Sequence, residues 1–440
     1  MNSDVLRDAV AAKAAAGLLS SLDSRTKDDA LERMASALEG ATDRLYATNQ
    51  KDVDAARALL SAGQLNESAY ARLSLNSESI PQMARSIRAV RTLGDPVGRV
   101  LFRTELDDNL ELKKVTCPFG VLAAIVEARP DAVVQLAALA LKSGNALMIK
   151  AGAEISHTSG VIVRILQDAL TRDETIPREA LTNVCGREAV MHLLKLAEFV
   201  DLVIPRGSAE LIRVVRENTR IPVLGHSDGV CHIYVHSAAD IKMAINVILD
   251  SKTQAPSTCN AVETVLVDRA LAGGFLPLLT HALRERGVQL RGCETAVSIC
   301  GQDIGRVEAT EWHTEYGALT LAIRVIDGCK EAVAHINQFG SHHTDCIITE
   351  DAVQAERFSR AVDSAGVFQN VSTRFSDGYR YGLGAEVGIS TGKLHARGPV
   401  GLDGLVTYKY ILSGSGQCVS QYIGQNARRF KHEGQSLDYV

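Results

Sequence analysis

The chain has 440 residues, 46% of them hydrophobic and 22% charged, the balance of a globular protein with two or three folding units. Its 47 Lys and Arg against 52 Asp and Glu leave a net charge of −5, which argues against the concentrated positive surface that nucleic-acid binding needs. The longest apolar runs, such as 121–126, fall far short of the ~20 residues that cross a bilayer, so no membrane span is expected.

The first residues could pass for a signal peptide. Lys13 inside the alanine-rich run, with Asp4 and Asp8 ahead of it, predicts a surface helix instead. Nine cysteines are scattered with no CxxC pair, the usage of reduced thiols in a cytoplasmic protein. From 24 to about 90 the pattern is helical, with Leu31, Met34 and Leu38 on one face and Thr26 with Asp29 resembling a capping start. Residues 100–116 read as a polar β-hairpin turning at Asp107, Asp108 and Asn109. Then strands alternate with helices: a buried strand at 120–126, an apolar helix at 131–141, strands at 146–149 and 199–204, and a helix after Ser208. A second such run follows, with strands at 230–235, 261–267 and 346–349 and a helix at 241–249; the tail at 404–412 is again strand-like. This alternation predicts an α/β fold with mostly parallel sheets and ligands at the carboxyl ends of strands.

Several motifs fail on inspection. In the segment from Gly382 to Gly388 the third glycine comes one place too late for a dinucleotide fingerprint. The segment from Gly388 to Leu394 is one residue short of a P-loop. His342, His343 and Asp345 suggest metal, but adjacent histidines on a strand would face opposite ways, so no metal is expected. Cys259 lies in a polar loop, Thr253-Gln-Ala-Pro-Ser-Thr-Cys-Asn260, at a loop-to-strand junction where a thiol is exposed enough to react. Most cysteines are inert, so this position alone leaves a structural role open. Arg206, Gly207 and Ser208 stand between a strand and a helix, where backbone N–H groups bind phosphate, or form an ordinary loop. Glu127 and Arg129 end another strand, as substrate contacts or as a surface ion pair.

Cys259, Gly144-Asn145 with Lys150, and Glu315-Tyr-Gly317 resemble, in type and order, the motifs of the aldehyde dehydrogenase superfamily. Within it the chain is similar to the glutamate-5-semialdehyde dehydrogenase (γ-glutamyl phosphate reductase) family. That resemblance rests on Val126-Glu-Ala-Arg-Pro130, Ile204-Pro-Arg-Gly207, Cys259-Asn-Ala-Val-Glu-Thr264, Ser341-His-His-Thr-Asp345 and the block from Ser372 to Pro399. It runs from about residue 5 to 415. The ending from Gly398 to Leu405 looks like the eukaryotic branch, and the chain has no room for a fused kinase, so a stand-alone enzyme as in fungi is implied.

The resemblance implies an aldehyde dehydrogenase fold. A Rossmann-like NADP-binding domain would comprise 1–104, 127–228 and 375–396, and a catalytic α/β domain 229–374, with the cleft between them. A β-hairpin oligomerisation element would comprise 105–126 and 397–440, giving a homo-oligomer, dimer or larger. It implies NADPH-dependent reduction of L-glutamyl 5-phosphate to the semialdehyde in proline biosynthesis, with Cys259 as the nucleophile that carries a thioester. Lys150, Arg206, Gly207, Ser208 and Glu315 would bind the cofactor. Glu127, Arg129, Arg374 and Arg397 would bind substrate, with Asp377 a second candidate for its ammonium group. Hydrolytic relatives carry a glutamate base that 223–230 lacks here, where only His226 and Asp228 could substitute. The superfamily's oxyanion asparagine is replaced in the segment 127–130, leaving the Cys259 backbone N–H as one candidate donor. NAD-preferring members place a carboxylate three residues after the lysine. Position 153 is Ala and Glu154 follows, which favours NADPH. A hydrolytic aldehyde dehydrogenase and a non-catalytic partner of glutamate 5-kinase are the competing readings, and association with that kinase suits an unstable acyl phosphate.

Overall fold

A computed structural model describes residues 3–65, 67–186, 188–226 and 228–435. The chain divides into two compact units, one of 1–224, 383–388 and 400–440, the other of 225–382 and 389–399. Among the described residues no helix is long and apolar enough to cross a membrane.

The first unit holds a four-stranded parallel sheet ordered Leu181–Asn183, Ala146–Ala151, Val121–Val126, Leu202–Arg206. All six residues of Val121–Val126 are buried, as its unbroken apolar run requires of a strand covered on both faces. The helix Pro130–Lys142 follows it; Pro130 opens that helix, where its missing N–H costs nothing. The strand expected at 199–204 begins only at Leu202. Before it, Phe199 and Val200 turn back onto the Leu196 carbonyl, and the Asp201 carboxylate accepts the Val121 N–H at 2.7 Å and pairs with Lys13 at 2.8 Å. The helix Ser24–Gly40 packs its Leu31, Met34 and Leu38 face inward, and its cap is Asp23, which accepts the Thr26 N–H at 2.8 Å, in place of the expected Thr26 start.

The hairpin is Val100–Asp107 with Leu110–Pro118, and its second strand pairs antiparallel with Val406–Ser413 along eight residues. Residues 121–126, grouped with the hairpin in the expected division, belong to the parallel sheet because they are apolar on both faces. Residues 436–440 of the expected oligomerisation element lie outside the described residues.

The second unit is a seven-stranded parallel sheet ordered Gly305–Arg306, Gln289–Gly292, Thr320–Ile326, Val262–Asp268, Cys231–Val235, Thr344–Ile348, Gly366–Gln369. Val262–Asp268 is buried along its whole length at the centre, and Ile233, Val265, Leu279, Leu321 and Ile323 form the core around it. Residues 375–382 and 389–396 fall in this unit and not with the expected nucleotide domain. Side-chain and backbone bonds hold them there: Asn260 Nδ2 donates to the Ser376 carbonyl, and His226 Nδ1 to that of Ile389, each at 2.8 Å.

Candidate active site

Cys259 sits in the turn between the helix Ile241–Thr253 and the strand Val262–Asp268. The turn is closed by the Thr258 hydroxyl on the Ala255 carbonyl at 2.7 Å and by the Ala261 N–H on the Thr258 carbonyl at 2.8 Å. Asn260 is buried and ties the turn down, with Thr373 Oγ1 donating to its carbonyl at 2.7 Å. The Cys231 thiol donates to the Cys259 carbonyl at 3.2 Å, and burial pushes that thiol well up, so it remains protonated. The thiol of Cys259 itself is half-buried.

Gly229 lies directly against this backbone, and a Cβ there would overlap the Cys259 Cα and carbonyl. Its N–H donates to Glu315 Oε2 at 2.8 Å. The Glu315 loop is fastened again at Gly317, whose N–H meets Glu263 Oε1 at 3.3 Å. Glu263 and Lys252 form a fully buried pair at 2.7 Å. Burial pushes the Glu263 carboxyl up to about 7 against the pull of Lys252, and burial also lowers the Lys252 ammonium. Both directions agree that desolvation outweighs the attraction. Arg374, also buried, donates from Nε to Gln254 Oε1 at 2.8 Å. Burial lowers its pKa and Arg380 adds to that, while the nearby Cys259 favours its charge.

This group forms at the amino ends of the strands, where the loop-to-strand reading places Cys259 but opposite to the carboxyl ends expected for ligands. Gly229, Cys259 and His343 precede Cys231–Val235, Val262–Asp268 and Thr344–Ile348, three neighbours in the sheet. His342 and His343 are not on the strand but ahead of it. His342 takes a left-handed φ of 60° and faces the Asp363 carbonyl, whereas His343 is buried. His226, Cys259 and His343 each bring one ligand-capable atom within 4.8 Å of the other two. The sequence singled out all three without signalling that they meet, because nothing in it gives the strand order.

Arg397 pairs with Asp363 at 3.0 Å, a carboxylate shared with Lys393 at 2.6 Å. Asp377 accepts the Tyr379 and Arg380 N–H groups at 3.0 and 3.2 Å, which makes it a turn cap.

The first unit gathers the remaining residues at the carboxyl ends of its strands. Lys150 is half-buried and donates to the Ala151 carbonyl. Burial lowers its pKa, and Glu154 opposes the shift. Glu154 Oε1 accepts the Ala128 N–H at 2.7 Å. Arg206 ends its strand against Gly388, where a Cβ would stand 3.2 Å from Nη1. Ser208 caps the helix Ala209–Asn218 through the Leu211 N–H at 3.3 Å, and its own N–H donates to Glu127 Oε2 at 2.8 Å. A side chain on Gly207 would strike that carboxylate, so the glycine lets Glu127 reach the helix start. The N–H offered in the sequence to a ligand phosphate thus already holds a carboxylate. Arg129 is the residue before the helix Pro130–Lys142.

The family model for aldehyde dehydrogenases matches residues 2–294. The chain belongs to the aldehyde dehydrogenase family. This aldehyde dehydrogenase is an oxidoreductase, of a family that uses a nicotinamide cofactor. It is 50% identical over 421 residues to a protein of Synechococcus sp. (strain JA-2-3B'a(2-13)) named γ-glutamyl phosphate reductase, covering 96% of this chain and 92% of that one. The crystal structure of γ-glutamyl phosphate reductase from Thermotoga maritima superposes with a TM-score of 0.91 at 38% identity, covering 94% of this chain and 100% of that one. For the enzyme of that name from Saccharomyces cerevisiae the TM-score is 0.54 at 33% identity, over 96% and 100% of the two chains. Higher identity to the cyanobacterial protein than to the yeast one runs against the eukaryotic branch expected from the ending at 398–405.

Proposed function

We propose that the protein reduces L-glutamyl 5-phosphate to L-glutamate 5-semialdehyde with NADPH, releasing phosphate, in proline biosynthesis. The observation that carries this reading is near-full-length identity to proteins named for that activity, joined to a thiol seated on a braced turn.

Cys259 Sγ, as thiolate, attacks the acyl carbon; the bond from carbon to the phosphate oxygen breaks and phosphate departs, leaving a thioester. The nicotinamide, when bound, supplies the hydride that reduces this thioester. The C–S bond of the resulting thiohemiacetal then breaks, the aldehyde leaves, and Sγ is regenerated. Sulfur suits both steps, because a thiolate attacks carbonyls well and also leaves well. The backbone N–H of Cys259 is the proposed donor to the developing oxyanion, a role worth about 3 kcal/mol. Arg374 would place positive charge beside the thiol, where the phosphate leaves. The acidic groups beside the turn are engaged, Glu263 by Lys252 and Glu315 by the Gly229 N–H, which supports a site that does not activate water.

Lys150 and Arg206 fit a phosphate-bearing nucleotide by charge and by their place at strand carboxyl ends, with Gly207 and Ser208 shaping the loop and Glu315 holding the nicotinamide ribose. Glu154 is turned onto the Ala128 N–H, and with Ala153 at the discriminating position this supports NADPH over NADH. Glu127 would serve substrate while bonded to the Ser208 N–H, Arg129 from the residue before the helix Pro130–Lys142, and Arg397 while paired with Asp363. The antiparallel sheet, which exposes Tyr410 and Leu412, would form a homodimer or larger assembly.

Reverse turnover of the semialdehyde tests the reading. NADP⁺ reduction should require added phosphate and exceed NAD⁺ reduction. Equal rates without phosphate would assign the hydrolytic reaction instead.

A further inference from the structure

His226, Cys259 and His343 make a donor set that the proposed reaction leaves unused except for the sulfur. His343 is fully buried, and its Nε2 has no hydrogen-bond partner. Its Nδ1 faces Thr344 Oγ1 at 2.9 Å. The burial of an unsatisfied ring nitrogen beside a thiol needs an explanation, since such atoms in folded proteins are nearly always paired. On His226, Nδ1 bonds to the Ile389 carbonyl at 2.8 Å. A carbonyl only accepts, so Nδ1 carries the proton and the lone pair of the neutral ring lies on Nε2. That carbonyl contact is the support a metal-bound histidine ordinarily has. The two rings meet edge to face, with centroids 4.8 Å apart, and do not stack.

Two neutral imidazoles and one thiolate are a zinc set. Zinc bonds of about 2.0–2.1 Å to nitrogen and about 2.3 Å to sulfur bring tetrahedral ligand atoms to roughly 3.3–3.7 Å from one another. From separations within 4.8 Å, side-chain rotation at the half-buried His226 and Cys259 supplies that contraction. All three lie in the second unit, on turns braced by their own hydrogen bonds. We propose that the protein binds one Zn²⁺ through His226, Cys259 and His343, with the fourth position open to water, and that the ion switches the enzyme off by holding the sulfur.

On binding, the Cys259 S–H bond breaks, its proton passes to solvent and an S–Zn bond forms, with no change of oxidation state. A chelator reverses the binding. The loss of activity rests on Cys259 being the nucleophile; the metal site does not.

The test titrates the full-length, metal-free protein with ZnCl₂ in a buffer lacking phosphate and follows alkylation of the peptide holding residue 259. Zinc should slow alkylation of Cys259 at least tenfold, and a chelator should restore the rate. Co²⁺ in its place should give a thiolate-to-metal charge-transfer band. His343→Ala, at a fully buried side chain, and His226→Ala, at a half-buried one, should each weaken the protection at least tenfold. Equal protection in both variants, or a Co²⁺ spectrum without the sulfur band, overturns the site. If the site behaves as described but Cys259→Ser still turns over, the metal site stands and the assignment of the nucleophile falls.

Discussion

A methyl group at position 229 would have nowhere to go. The atoms it would overlap, the Cα and carbonyl of Cys259, are backbone and cannot rotate aside as a flexible side chain would. Gly229→Ala must therefore shift the thiol-bearing turn. Misplacing a reacting atom by about 1 Å costs on the order of 10²-fold in rate, so turnover should fall about that much while circular dichroism reports an intact fold. A second residue makes a claim about pH. Histidine ordinarily titrates near 6.5, but burial first, and then His232, Arg324 and His313, hold His335 down to about 2. The Arg324 guanidinium donates to its Nδ1 at 2.8 Å, which only the neutral ring can accept. As pH falls below 6.5 the unfolded chain takes up a proton that the folded one refuses. Stability present above 6.5 is therefore lost as pH falls toward 2, on the order of 2 kcal/mol between pH 6.5 and 5. His335→Gln retains an acceptor and has no such proton, so its thermal midpoint should fall less over that interval than the parent's. An equal fall would remove His335 from the acid response.

At the scale of elements, apolar runs told more than motifs did. Val121–Val126 and Val262–Asp268 are continuous hydrophobic stretches and were legible as buried strands. Gln289–Gly292 and Gly305–Arg306 were not, being short and polar and held as strands by their neighbours' hydrogen bonds. Cys259 stood out because its loop could be read, whereas His343 was misjudged as a strand residue, since the backbone turn at His342 has no sequence signature there. The loop-to-strand place of Cys259 is legible and puts the thiol at the amino end of its strand, whereas the rule that ligands gather at carboxyl ends does not hold for this sheet: alternation of strands and helices fixes a parallel sheet but not which turns carry chemistry. The helix Ala209–Asn218 carries a prediction of its own. Glu127 places a carboxylate on its first turn, where the partial positive charge of the helix favours an anion. Glu127→Gln keeps an acceptor oxygen and loses the charge, which should cost on the order of 0.5–1 kcal/mol. Glu127→Ala loses both and should cost more, and thermal melts of the two variants would rank them. The reverse ranking would mean that the Glu127 carboxylate does not support the helix start.

For the whole molecule, the two units each carry part of the proposed site. Lys150 and Arg206 belong to the first unit, and Cys259, Glu315 and Arg374 to the second. The chain passes between the units at 224, 382, 388 and 399, so neither is one stretch of sequence. The resemblance already implies a nucleotide domain in three pieces, yet it groups 375–382 and 389–396 differently from the units, because the backbone carbonyls of these segments bond to Asn260 and His226. Each unit has its own core and its own hydrogen bonds, so damage to one set of residues should leave the other set's reading unchanged. Lys150→Ala removes an ammonium group proposed to meet the nucleotide. A hydrogen bond to a charged group is worth about 1.5–3 kcal/mol, or roughly 10- to 150-fold in affinity. NADPH should bind that much more weakly, while Cys259 is alkylated at the parent rate. Cys259→Ser should do the converse, abolishing turnover and leaving NADPH affinity within about twofold. Fluorescence titration of NADPH beside alkylation kinetics reads both effects. If Lys150→Ala changed the reactivity of Cys259, or Cys259→Ser weakened NADPH tenfold, the two sets of residues would have to act as one site before any substrate arrives.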